Sequence, residues 1–202
     1  MRRTHDEPHE KGHEASYGKR SDESDNEAFD TAIELLRTLG AGEVDHPGGT
    51  LLAHLRRVHD LLAEWGARPD LRLAGLCHAF YGTDGFATAL LPLDRRGELA
   101  AIIGKDAEAL VHFYAGCDRE ASYPGLARDE GLFRDRFSGD TFSPPVSWRR
   151  DFAELTAANE LDVVTASPEL RARWGPGLRE LLTELRPLLS DQAWRACERT
   201  LG

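Results

Sequence analysis

Apolar residues recur every third or fourth position along most of the chain, which is the spacing of an amphipathic helix. Such a pattern runs from Phe29 to Leu39 and ends on Gly40, a residue that often terminates helices. The letters DHPGGT then indicate a turn, with Thr50 as the N-cap of a second helix. This second helix is predicted from about Leu51 to Trp65, with His54 and His59 at the margins of its apolar face.

A third helix, LRLAGLCHAFY, is predicted to begin at Pro69 and Asp70. It is apolar around nearly its whole circumference, so it should lie in the centre of the domain. His78 falls on a face with small neighbours, where a ligand or a neighbouring backbone can come close. The letters GTDG then end the helix.

The remaining pattern completes an all-α bundle of about seven helices. The segment 120–147 is rich in Gly, Pro and charge, and it predicts either one long ordered loop or a small hairpin. Residues 27–202 form the single predicted domain, because this length suits one core. Further helices are expected near Arg96–Ile103, Asp106–Asp118, Trp148–Ala166, Arg171–Leu189 and Asp191–Leu201.

Residues 1–26 carry almost no apolar side chains, so they are predicted to form a disordered tail. His5, His9 and His13 stand four residues apart and would share one face of a helix, where they could hold a metal ion. Pro8 and Gly12 oppose a helix there, which favours a solvated polar tail.

Composition narrows the possible partners. The net charge of −10 and the lack of a basic patch argue against nucleic-acid binding. No stretch approaches the roughly 20 apolar residues of a membrane span, and no apolar run follows the first arginines, so a cytoplasmic protein is expected.

The composition is rich in Arg, Ala and Leu and poor in Lys, which suggests a bacterial source. The widely spaced Cys77, Cys117 and Cys197 are predicted to be buried free thiols.

Polar residues inside otherwise apolar helices are the candidate site. His54, His78 and Asn159 are predicted to converge on one cavity between helices, with Asp162 one helical turn beyond Asn159. Nucleophile-elbow, P-loop, GxGxxG and HExxH signatures do not occur. A polar stripe of Glu108, His112 and Arg119 is interpreted as a solvated helix face, and His59 as structural.

The order of these segments resembles the HD superfamily, whose helical domains bind metal through a first-helix His, a His-Asp pair and a distant Asp. The stretches HPGGTLLAHL, AGLCHAFYGTDGF and AANELD carry the resemblance, which spans roughly residues 29–166 and indicates a divergent HD-like branch. Ala79 follows the second His where the superfamily has Asp, and Asn159 replaces the final Asp. Both expected metal-binding carboxylates are therefore missing, which puts metal-dependent phosphohydrolase chemistry in doubt.

Two functions remain open from the sequence. The first is an enzyme that acts on a small-molecule substrate through His54, His78 and Asn159, with hydrolase, oxygenase and other biosynthetic chemistry left open. In it, Tyr81, Thr83, Asp84 and His46 line the substrate pocket. His54, His78 and Asp162, or Asp84, would hold one divalent Fe, Mn or Zn ion, or the histidines would act as an acid–base pair without metal. The second is a catalytically degenerate module that binds a small molecule or a protein.

Overall fold

The computed structural model describes residues 22–202 and shows an all-α bundle, as predicted. Within this range there are nine α-helices and two small antiparallel hairpins, where the sequence predicted about seven helices. The hairpins are β1 (Asp45–His46) with β2 (Gly49–Thr50), and β3 (Phe133–Arg134) with β4 (Thr141–Phe142). The helices are α1 (Asp22–Thr38), α2 (Leu51–Glu64), α3 (Pro69–Cys77), α4 (Arg96–Ile103), α5 (Lys105–Ala115), α6 (Arg119–Ser122), α7 (Val146–Ala166), α8 (Pro168–Glu184) and α9 (Asp191–Leu201).

Helix α1 begins at Asp22, so it starts ahead of the predicted domain boundary after residue 26. Acidic residues such as Glu23 and Asp25 occupy its first turn, where the positive end of the helix dipole favours negative charge. Residues 1–21 lie outside the described part of the chain, and with them the predicted tail and its three histidines. In the segment 120–147 the hairpin alternative is confirmed by β3 and β4.

Helix α7 lies at the centre of the bundle, packed against α2, α3, α5, α8 and α9. Helix α3 is also buried along most of its length, which confirms the central position that its apolar circumference predicted. The three cysteines are buried and free, as expected. Among the described residues, no helix is long and apolar enough to cross a membrane.

The turn between β1 and β2 sets the start of α2. Thr50 is the N-cap, and its hydroxyl accepts a hydrogen bond from the Ala53 amide at 3.3 Å. Gly48 has a φ of +78°, and an added Cβ there would lie 2.6 Å from the Ala166 Cβ, so only glycine lets this turn approach the end of α7. His46 is thereby placed over the first turn of α2.

Replacing Gly75 by Ala is expected to lower the free energy of unfolding by about 1–3 kcal/mol, because a Cβ would lie 2.5 Å from Cδ1 of Leu62 and this fully buried side chain would have to shift. Urea denaturation measures the change. Gly97→Ala is the control, because nothing lies within 4 Å of its Cβ position, and its stability should stay equal or rise by up to about 1 kcal/mol. Equal effects of the two substitutions would contradict close α2–α3 packing.

Candidate active site

A cavity of about 450 Å³ opens between α2, α7, the β1–β2 turn and the segment that follows α3. We call it the histidine cavity. The side chains of His54, His78 and Asn159 all line it, so the three residues singled out in the sequence do lie together. Their chemical roles stay predictions. Its other polar lining residues include Asp45, His46, Thr83, Arg119 and Glu160, and its apolar lining includes Leu51, Phe86, Val163 and Trp174.

His54 is held between two oxygen acceptors. Its Nδ1 lies 2.6 Å from Asp162 Oδ2, and its Nε2 lies 3.0 Å from Asn159 Oδ1. The Asn159 amide is oriented by Glu160, whose carboxylate accepts a hydrogen bond from Asn159 Nδ2 at 3.1 Å. A doubly protonated imidazole ring satisfies both contacts, since a neutral ring has only one N–H to donate. The side chain is 1% exposed, so these partners replace water.

Asp162 joins His54 to Arg57, which also lies on α2. Arg57 donates to both Asp162 oxygens, at 2.7 and 3.0 Å, and to the Pro47 carbonyl at 3.3 Å. Burial raises the pKa of Asp162, but hydrogen bonds and charge from His54 and Arg57 outweigh burial and hold that pKa below its usual value. Arg57 therefore ties the β1–β2 turn to the Asp162–His54 pair.

His78 lies just beyond α3, which ends at Cys77, whereas the sequence predicted it inside the helix. Its Nδ1 donates to the Gly75 carbonyl at 2.7 Å, which leaves the Nε2 lone pair able to accept a proton or hydrogen bond. Burial, followed by the nearby charge of His54, lowers the pKa of His78 to about 3. The His54 and His78 rings meet edge to face, with centroids 5.3 Å apart.

His46 covers His54 from the β1–β2 turn. The two rings stack with centroids 4.0 Å apart and an interplanar angle of 26°. Burial and then the charge of His54 lower the pKa of His46 to about 4. Its Nδ1 is buried and makes no hydrogen bond within residues 22–202. His46 is therefore a neutral ring that shields His54 from solvent.

Of the three residues predicted beyond the end of α3, only Thr83 lines the histidine cavity. Tyr81 and Asp84 do not line this cavity. The Tyr81 hydroxyl donates to Glu108 at 2.9 Å, and Asp84 accepts from the Arg119 backbone amide at 2.9 Å. The turn after α3 directs these two side chains to other polar groups, which the letters GTDG alone do not reveal.

The stripe of Glu108, His112 and Arg119 is not the solvated face that the sequence predicted. Glu108 is 5% exposed and binds Arg96 through both oxygens, at 2.7 and 2.9 Å. Arg119 begins α6, lines the histidine cavity and pairs with Glu160 at 3.1 Å. Sequence reasoning missed Arg119 as a cavity residue, because its direction depends on the break between α5 and α6.

The predicted metal set of His54, His78 and Asp162 does not fit a metal ion. Asp162 contacts the Nδ1 side of His54 and is neutralised by Arg57, while Asn159 holds the Nε2 side. Asp84, the alternative carboxylate, is bound elsewhere. Throughout the described residues, no group of three or more His, Cys, Asp or Glu side chains is arranged to hold a metal. The residues present therefore do not match the predicted Fe, Mn or Zn site.

One family is similar to part of this chain. A family described as "Domain of unknown function (DUF6817)" matches residues 35–119, which is less than half of the chain. The matched stretch contains His46, His54, His78 and Arg119 but ends before Asn159. No curated protein and no solved structure matches the chain. The resemblance to the HD superfamily stays a prediction.

Proposed function

We propose that the chain is an enzyme that acts by general acid–base catalysis on a small organic molecule bound in the histidine cavity. One observation carries the proposal: two histidines share the cavity, and their protein partners favour opposite protonation states. His54 lies between two acceptors, whereas His78 gives its only proton to a carbonyl and keeps Nε2 free. Pairs of groups with opposed environments are typical of acid–base sites.

His78 is assigned the base. Its Nε2 would take a proton from the substrate, or from a water molecule beside it, while the Nδ1–H bond to Gly75 keeps the ring oriented. His54 is assigned the acid, donating from Nε2 to the substrate oxygen that gains negative charge. Asp162 balances the positive ring of His54, and Arg57 positions Asp162. The substrate would take the place of Asn159 Oδ1 at His54 Nε2.

The cavity suits a small molecule in size and lining. Its volume of about 450 Å³ lies within the usual range of small-molecule sites, about 300–1,000 Å³. Apolar residues such as Phe86 and Val163 line it alongside the polar groups. The HD-like resemblance supports a site between the same helices, with Ala79 and Asn159 in place of the usual carboxylates.

The second candidate is a module that binds a small molecule without converting it. One contact favours this function: Asn159 Oδ1 already occupies the His54 nitrogen that would serve as the acid. In such a module, His54 would hold Asn159 in position, and Asn159 and Arg119 would bind the ligand. Ala79, which lines the cavity, would be an inert part of its wall.

The protonation states can be tested without a substrate by recording ¹⁵N NMR of the histidine rings from pH 5 to 8. His78 is expected to remain a neutral ring carrying its proton on Nδ1 across this range, because burial lowers its pKa to about 3. A His78 ring that carries its proton on Nε2 across this range would remove the proposed base, because Nε2 would then have no lone pair to accept a proton. His78→Gln assigns the signal.

Turnover separates the enzyme from the module. The protein is incubated with a pool of small organic metabolites, and both bound and converted molecules are followed by mass spectrometry. We expect conversion of a compound by the unaltered chain and a loss of about 10²–10⁴-fold in rate in His78→Gln and in His54→Gln. His59→Gln, which alters α2 outside the cavity, is the control. A compound that binds and is recovered unchanged establishes the module instead.

A further inference from the structure

A second cavity lies between α5, the β3–β4 hairpin and the start of α7. Its volume is about 470 Å³, and four aromatic side chains line it: Phe113, Phe133, Phe142 and Trp148. We call it the aromatic cavity. Asn159 of the histidine cavity lies about 16 Å further along α7 than Trp148, at about 1.5 Å per residue. The two cavities are therefore separate sites.

The aromatic wall is packed on one side and open on the other. Phe113 stacks on the buried Phe133 with centroids 4.2 Å apart, and Trp148 meets Phe113 edge to face at 5.2 Å. Phe142 lies 5.6 Å from Phe133 and is 43% exposed. Large exposed apolar side chains beside a cavity are typical of binding sites. The electron-rich faces of such rings also attract cations.

Arg96, His112 and Asp135 form the polar part of the aromatic cavity. Asp135 Oδ1 accepts from the Phe137 amide at 2.8 Å, and the neighbouring Arg134 pairs with Asp118 at 3.5 Å instead of with this carboxylate. The Arg96 guanidinium donates to both oxygens of the buried Glu108, at 2.7 and 2.9 Å, so Glu108 offsets most of its attraction for an anion and its repulsion of a cation in the cavity. Burial, followed by the charge of Arg96, lowers the pKa of His112.

We infer that the aromatic cavity binds an organic cation, namely a protonated or quaternary amine with an apolar substituent. The ring faces and the Asp135 carboxylate would attract the positive charge, while Pro144 and Pro145 line the cavity beside the apolar part. An anionic ligand would be repelled by Asp135. A neutral ligand would gain only the apolar contacts. This inference is independent of the function proposed for the histidine cavity.

Benzyltrimethylammonium is the probe, titrated into the ¹⁵N-labelled full chain and followed by backbone amide NMR. Benzyl alcohol and benzoate are the neutral and anionic comparisons. We expect saturable shifts on α5, β3, β4 and the first turns of α7 with the cation, and binding at least about tenfold weaker with the other two. Equal binding of the three compounds, shifts centred on His78 or no saturable binding would each overturn the inference.

Asp135→Asn tests the charge directly, because the amide keeps an oxygen that can accept from the Phe137 N–H. This variant should bind the cation about tenfold more weakly and leave benzyl alcohol binding unchanged. Asp140→Asn is the matched control, since Asp140 is an exposed acid on the same hairpin and does not line the cavity. Unchanged cation affinity in Asp135→Asn, or an equal loss in both variants, would contradict the assignment.

Discussion

Replacing Asp162 by Ala is expected to lower the free energy of unfolding by about 3 kcal/mol, because it leaves His54 and Arg57 without their shared carboxylate. The side chains of His54 and Asp162 are only 1% and 6% exposed, so water cannot replace the lost contact to the ring. Arg57 is 36% exposed and can turn toward solvent. The expected loss in the free energy of unfolding is therefore at the low end of the range for buried ion pairs. Urea denaturation at neutral pH measures the loss.

Asp60→Asn is the matched control for this substitution. Asp60 also contacts a histidine of α2, His59, at 3.0 Å, but its side chain is 68% exposed. Its replacement should change stability by less than about 0.5 kcal/mol. In a double-mutant cycle, Asp162→Ala and His54→Gln should be non-additive by about 1–2 kcal/mol. Additive losses, or equal losses for Asp60 and Asp162, would show that the 2.6 Å contact does not stabilise the fold.

Acid is expected to destabilise this protein steeply, by about 2–3 kcal/mol for each pH unit between about 6 and 4.5. The pKa of His78 falls to about 3 in the folded chain and that of His46 to about 4, from an ordinary value of 6.5. Below pH 6.5 the unfolded chain therefore binds two protons that the folded chain does not. Each such proton contributes about 1.4 kcal/mol per pH unit. Stability is complete above pH 6.5 and falls as the pH approaches the folded values.

Denaturation curves at pH 7.5, 6.5, 5.5 and 4.5 measure this slope. His78→Gln removes one of the two groups and should reduce the slope by roughly half, whatever it does to stability at neutral pH. His112, whose pKa is also lowered by burial, adds to the slope in the same direction. Asp162 does not add to this slope. Its carboxyl pKa is lowered in the folded chain, so the stability that it contributes is lost only when the pH falls below the ordinary carboxyl pKa of 3.8. An unchanged slope in His78→Gln would show that this ring is not buried in its neutral form.

The candidate site shows which of its residues can be predicted from the sequence and which cannot. His54, His78 and Asn159 could be selected because an unpaired polar group on an apolar helix face is costly, so such groups tend to meet partners or ligands. Their shared cavity agrees with that expectation. Tyr81 and Asp84 were selected by position alone, and the turn beyond α3 directs them away. Asp162 could be selected by its spacing from Asn159, but its pairing with Arg57 rather than with a metal could not.

By itself, the sequence determined the helical class, most helix positions and the burial of α3, because helical periodicity and capping are local properties of the chain. The tertiary structure alone decided what each polar side chain faces. Arg57 reaches Asp162 across the α2–α7 contact, Glu160 orients Asn159, and Arg119 enters the histidine cavity after the break between α5 and α6. Pairings in this site join residues up to 108 positions apart, as in the contact between His54 and Asp162. Helical spacing reports which face a residue occupies, and only packing brings two such faces together.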